Sequence, residues 1–179
     1  MKFDTSIVQA HFQSPLGRMT LAATPQGLAG LWFEGQRHLP AALMAESTGV
    51  AAWPTDPNHP VLNLATQQLT AYFAGQGTEF AEFDLPLDLS GGTAFQQAVW
   101  QALLAIPPGT TASYGQISHR LGNPAAVRAV GAAVGRNPIS IIVPCHRVIG
   151  ADGSLTGYAG GLHRKTALLT LEGVLKVCA

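Results

Sequence analysis

Cys145 stands in the run Val143-Pro144-Cys145-His146-Arg147-Val148, a thiol followed at once by an imidazole and a guanidinium. The thiolate is the nucleophilic form of cysteine, and neighbouring cations lower its pKa from about 8.5. These residue types predict an activated thiol. The apolar run 139–143 before it reads as a buried strand that Pro144 ends. A lone cysteine beside a histidine is also common in inert cores, so the run alone does not decide. Cys178 has no histidine beside it and reads as an unreactive bystander.

Adjacent side chains of a strand point to opposite faces. His146 therefore needs a bridging water or a sharp turn to take the Cys145 proton. An imidazole used as a base also needs an acceptor to orient it. The acidic residues of 91–179 are Asp152 and Glu172. A helix over 162–175 puts Lys165, Leu168, Leu169 and Glu172 on adjoining rows. Glu172 then falls at the edge of an apolar stripe, where a carboxylate is costly unless partnered. This predicts a Cys145–His146–Glu172 relay, with a surface carboxylate as the plain alternative.

Upstream lies a candidate helix-turn-helix. Thr93 with Gln96, and Ser113 with Gln116, have the spacing of capping boxes. Phe95, Val99, Leu103 and Ile106 form an apolar stripe that Pro107-Pro108-Gly109 ends. A short helix follows Ser113. Asn123 as N-cap and Pro124 at the first helical position start another, which runs to about Gly135. Val127, Val130 and Val134 share its predicted core face. The rest of its surface shows Arg128, Gly131, Ala132 and Gly135. An interior glycine costs about 1 kcal/mol relative to alanine. Either close helix packing or a partner approaching the backbone selects such residues. A major-groove reader displays Arg, Asn or Gln, whereas a smooth helix with one arginine suits backbone or minor-groove contact.

The elements that must hold these residues follow from pattern and punctuation. Segments 7–13, 19–23 and 28–33 read as a β-meander, separated by the turns Ser14-Pro15-Leu16-Gly17 and Thr24-Pro25-Gln26-Gly27. Leu62, Ala65, Leu69, Tyr72 and Phe73 recur at helical spacing, and Gly75 and Gly77 close that helix. Residues 85–92 read as a linker, dividing the chain into 1–88 and 89–179. Hydrophobic residues make up 47% of the 179 and charged residues 11%, which excludes a disordered chain. The net charge is zero but uneven: three basic against eight acidic residues in 1–90, seven against two in 91–179. The basic half suggests a polyanionic partner. No apolar stretch approaches the roughly 20 residues of a bilayer span, and no apolar signal core opens the chain. A cytoplasmic protein away from membranes is expected.

Taken together, the motifs resemble those of the O6-alkylguanine-DNA alkyltransferase (methylated-DNA–protein-cysteine methyltransferase) family. The signature around Cys145 is joined by Ser113-Tyr114-Gly115, Arg128-Ala129-Val130-Gly131, Asn137-Pro138 and Gly157-Tyr158-Ala159-Gly160-Gly161, in the family's order and spacing. The resemblance is strong over 92–175 and weak before it. It implies an α+β fold: an N-terminal ribonuclease-H-like small sheet with a helix, then a mainly helical, winged-helix-like domain carrying the helix-turn-helix and the cysteine. It implies DNA repair by irreversible, single-turnover alkyl transfer from O6-methylguanine to Cys145, with O4-methylthymine left open as a second substrate. The partner is double-stranded DNA bound in its minor groove, with the nucleotide flipped out. The protein is expected as a monomer in solution, with cooperative assembly on DNA left open.

By the same resemblance, Arg128 fills the vacated place in the duplex, and Ala129, Gly131 and Ala132 lie on the DNA-facing helix. Tyr114 acts on a phosphate and on the leaving guanine, and Ser113 beside it is a substrate-binding residue. Asn137 ties the reading helix to the Cys145 segment. Tyr158 lines the pocket, the Ala159 amide meets O6, and the Cys145 and Val148 carbonyls take the guanine amino group. His146 acts through a water, held by Glu172. The lesion is itself the alkyl donor, so no cofactor is implied. Residues 1–90 lack cysteine, so the zinc site of some animal members is not expected. The runner-up is a non-catalytic helix-turn-helix module that binds alkylated bases; relatives of that kind lack the cysteine.

Overall fold

A computed structural model describes residues 1–75 and 83–176. Gly77 and Cys178 lie outside the described residues. The three expected strands form an antiparallel meander, β1 (Val8–Ser14), β2 (Gly17–Thr24) and β3 (Gly27–Phe33). The first hairpin closes where the Ser14 hydroxyl accepts from the Leu16 amide and donates to the Gly17 carbonyl, with Gly17 at φ +115°. Only glycine reaches that conformation without strain.

The period of two then sorts the side chains. Met19, Leu21 and Ala23 of β2 share one core with Leu31 and Phe33 of β3. The opposite face carries Ala22 and Trp32 in a smaller cluster with Ile7 and Ala29, against which Trp53 packs. After the short helix α1 (Ala45–Thr48), α2 (Pro60–Ala74) lays Leu62, Ala65, Leu69 and Tyr72 into the main core. It ends where the Gly75 amide bonds the Ala71 and Tyr72 carbonyls.

All seven residues of β3 are buried although it is the edge of its sheet. Two later segments cover it. Residues 86–88, expected as part of a linker, pair with its start: the Leu28 amide donates to the Pro86 carbonyl and the Asp88 amide to that of Leu28, each at 2.8 Å. Residues 138–140 pair further along, through Leu31 N–H to Pro138 and Ser140 N–H to Leu31 (2.8 and 2.9 Å). Capping an edge in this way removes a row of unpaired backbone groups. It also seats the segment that leads to Cys145 on the N-terminal sheet, so both halves share one core.

The second half is mainly helical, as expected. Both capping boxes form, at the starts of α3 (Ala94–Leu104) and α4 (Tyr114–Arg120), each worth about 1 kcal/mol. A two-residue strand β4 (Ala112–Ser113) pairs in parallel with β5 (Val148–Ile149). Helix α5 (Val127–Gly135) packs on α3 and α4, and α6 (Leu162–Leu171) follows β5. Three expectations fail here. Phe95 and Val127 are exposed, because each lies in the first turn of its helix, beyond the packed stretch. The place at the α3–α5 contact goes to Trp100, whose indole N–H donates to the Ala133 carbonyl at 2.9 Å. Asn123 makes no side-chain cap; a 3-10 turn, Pro124–Ala126, intervenes and α5 begins only at Val127. Among the described residues no helix is long and apolar enough to cross a membrane.

Candidate active site

The run 139–143 is buried as expected, but it is not a strand. Its start alone pairs with β3, where Ile139 lies opposite Leu31 and the Ser140 amide bonds the Leu31 carbonyl. Beyond it the Ile142 amide turns back to Ser140, that of Val143 to Ile139, and that of Cys145 to Val143. Ile141 has φ +71°, a left-handed conformation that strains a β-branched residue. Asn137 explains how the chain tolerates this. Its Oδ1 accepts from the Ile139 amide at 3.0 Å, and its Nδ2 donates to the Ile139 and Val143 carbonyls and to Cys145 Sγ at 3.2, 2.7 and 3.0 Å. One buried amide side chain satisfies the backbone groups that a ladder would have paired.

Cys145, His146 and Arg147 then form a 3-10 turn, the sharp turn that a strand could not supply. The imidazole and the guanidinium both point to Glu172, directly after α6, which ends sooner than the sequence predicts. Glu172 is fully buried. Its Oε1 accepts from His146 Nε2 at 2.8 Å, Arg147 Nη2 at 2.9 Å and the Tyr72 hydroxyl at 2.7 Å. Its Oε2 accepts from Arg147 Nε at 2.9 Å. Burial works against the charged carboxylate, but the hydrogen bonds and charges of His146 and Arg147 outweigh it and hold the pKa at about 2. Burial pushes His146 below its ordinary value, against the pull of Glu172. With Nε2 donating to a carboxylate, the neutral ring keeps its lone pair on Nδ1. That atom is buried without a hydrogen-bond partner among the described residues.

The thiol is not acidic at rest. Burial pushes Cys145 up to about 11, against the opposing effects of the Asn137 hydrogen bond and the Lys165 charge. The expected lowering by adjacent cations fails because Arg147 spends its guanidinium on Glu172 and the Ile106 carbonyl. The nearby cation is Lys165, fully buried, whose Nζ donates to the carbonyls of Val148 and Thr156. Burial lowers its pKa to about 8 while the Cys145 charge acts to raise it.

The other predicted residues lie in β5, in the 157–161 loop, at the start of α4 and on α5. Val148 is buried in β5. Tyr158 is buried, and Ala159 is half-buried with its carbonyl accepting from the Arg37 amide at 3.0 Å. The 157–161 loop lines a cavity of about 420 Å³ together with Gly35, Arg37 and Arg164. Cys145 does not line it and is only 4% exposed. Ser113 caps α4, and the half-buried Tyr114 ring lies along Gly131, where a Cβ would meet it at 3.8 Å. A Cβ on Gly157 would lie 4.0 Å from the Tyr114 hydroxyl. Tyr114 thus spans from α5 to the 157–161 loop. Arg128, Ala129 and Ala132 are exposed. A Cβ on Gly135 would meet nothing within 4 Å, so helix packing does not require glycine there. Among the described residues no cluster of three or more His, Cys, Asp or Glu could hold a metal ion.

Sequence reasoning missed three members of this centre. Tyr72 reads as one more apolar position of α2, Arg147 as a cation near the thiol, and Lys165 as a polar neighbour of an apolar row. The usable signal is the last, a lysine on a row that must face the core.

Two family models match: the ribonuclease-like domain of 6-O-methylguanine DNA methyltransferase over residues 7–89 and its DNA-binding domain over 94–174. The chain belongs to this family. Among its relatives, the methylated-DNA–protein-cysteine methyltransferase of Mycobacterium bovis is 52% identical over 159 residues, 89% of this chain and 88% of its own. The solved Mycobacterium tuberculosis O6-methylguanine methyltransferase superposes with a TM-score of 0.77 at 49% identity, covering 93% of this chain and 92% of that one. A structure of Mycobacterium tuberculosis OGT in complex with DNA matches with the same score and identity, covering 93% and 91%. The α+β architecture described above is that of the family.

Proposed function

We propose that this chain repairs DNA by direct reversal, transferring the alkyl group of O6-methylguanine to Cys145 Sγ in a single turnover. The observation that carries this reading is the buried thiol, held by Asn137 and one residue from an imidazole that Glu172 orients. The sulfur attacks the alkyl carbon as the carbon–O6 bond breaks. A new carbon–sulfur bond forms, and the bonding electrons leave with guanine, which is reprotonated. His146 Nδ1 takes the thiol proton, through a water. Burial favours the protonated thiol in the resting protein, so proton removal is assigned to the lesion-bound state. The product thioether has no carbonyl for water to attack, so each molecule acts once. No cofactor enters, because the lesion is the donor.

Charge developing on the departing guanine calls for fixed donors, the logic of an oxyanion hole. The Ala159 amide is assigned to O6 and Tyr114 to the ring nitrogen and the neighbouring phosphate. The guanine amino group goes to the Cys145 and Val148 carbonyls. Val148 already accepts from Lys165, and a carbonyl has a second lone pair for this purpose. Tyr158 lines the base pocket. Because Cys145 is 4% exposed, the side chains around it must give way to admit a base.

The smooth face of α5 with its single arginine supports binding in the minor groove. Ala129, Gly131 and Ala132 let the backbone approach, and Arg128 takes the place of the flipped nucleotide. Residues 1–88 form the supporting domain and 89–179 the DNA-binding and transfer domain. The protein acts as a monomer, in the cytoplasm, where a free thiol persists. The test is Cys145→Ser: the variant binds a duplex carrying O6-methylguanine yet leaves the lesion intact. Demethylation by that variant would overturn the proposal.

A further inference from the structure

A side chain of the N-terminal half enters the hydrogen-bond network that holds His146. Tyr72 of α2 is 1% exposed, and its hydroxyl donates to Glu172 Oε1, the oxygen that also holds His146. The two residues are 100 positions apart. Burial first, then the Glu172 charge, drive the phenol far above its ordinary pKa. It therefore stays protonated, and it donates at any working pH.

We propose that Tyr72 is a positioning residue for alkyl transfer, whose hydroxyl fixes Glu172 Oε1 and limits how strongly that oxygen pulls on His146. The inference rests on the alkyl-transfer reading above. A carboxylate oxygen shared among three donors is a weaker base than one shared between two. Glu172 raises the basicity of His146, so a third donor on the same oxygen tempers that rise. The imidazole is kept neutral, with its proton on Nε2 and its lone pair on Nδ1 for the thiol. The charged and titratable groups that bear on His146 are Glu172 and Lys165 from α6 and its C-terminal end, Arg147 and Cys145 from its own turn, and Tyr72 through Glu172. Of these, Tyr72 comes from the N-terminal half. The N-terminal domain then has a chemical part in the reaction as well as a scaffolding one.

The experiment compares the full chain with Tyr72→Phe, which keeps the ring that packs on Phe73 and Phe83 and removes only the hydroxyl. Methyl-transfer rates on an O6-methylguanine duplex are followed against pH, and the His146 imidazole is titrated by NMR in the unreacted protein. Tyr72→Phe is expected to lower the plateau rate about tenfold, the worth of a hydrogen bond to a charged group. It is expected to move the acid limb and the His146 titration to higher pH. Replacing Tyr72 by 3-fluorotyrosine, a stronger donor of nearly the same shape, moves both to lower pH and covers the case of a poorly folded phenylalanine variant. An unmoved acid limb and His146 titration in either folded variant overturn the proposal, since a merely structural role changes only the active fraction. Absence of transfer by the unmodified chain would instead overturn the function on which it rests.

Discussion

Replacing Glu172 by glutamine tests the relay and the fold together. The carboxylate accepts four hydrogen bonds from three buried side chains. A carboxyl held at about 2 instead of its ordinary 4.5 contributes about 3 kcal/mol at neutral pH, at roughly 1.4 kcal/mol per pH unit. Because the folded pKa is the lower one, that contribution is present above about pH 4.5 and is lost as pH falls toward 2. Glutamine removes it and turns an amide N–H toward donors or strands the Arg147 charge, for a total loss of about 3–5 kcal/mol. Thermal melts should therefore fall by about 10 °C at neutral pH. The gap should narrow as the pH is lowered to about 3, where the wild-type carboxylate loses its advantage. Methyl transfer by the folded fraction should slow at least about a hundredfold, the scale of a mispositioned general base. A variant that melts with the parent and transfers at its rate would refute the reasoning.

Arg128→Ala should slow repair of duplex DNA at least about tenfold more than reaction with a free alkylated guanine base, because only the duplex must be opened; equal losses would remove its flipping role. Asn137→Ala strips partners from the Ile139 amide and two buried carbonyls and should cost about 3 kcal/mol in urea unfolding. Unchanged stability would show that the strained loop holds itself. Labelling of Cys145 by iodoacetamide should be slow at neutral pH and rise about tenfold per pH unit toward 11. A plateau near pH 8.5 would mean that the thiol is not suppressed by burial.

What the sequence made legible follows from range of action. Turns and capping boxes are local chemistry, and the boxes Thr93/Gln96 and Ser113/Gln116 form as the spacing predicts. Glu172 is buried and bonded to His146, the pairing that its place at the edge of an apolar row predicts. The 139–143 run misleads because an apolar, β-branched pentad has strand character, while one side chain outside it, Asn137, decides its path. The thiol misleads for a related reason. Composition counts Arg147 as a neighbouring cation, whereas packing turns that guanidinium toward Glu172 and leaves desolvation to dominate. Tyr72 was invisible because nothing local marks a tyrosine of an apolar stripe as the partner of a carboxylate 100 residues away.

The most direct test of alkyl transfer to Cys145 is the intact mass of the protein after incubation with excess O6-methylguanine duplex. A gain of one CH2 per molecule and no more is expected, mapped by peptide fragmentation to Cys145, with unmodified guanine left in the DNA. Repaired guanine beside a protein of unchanged mass, or a methyl group found on any other residue, would contradict it.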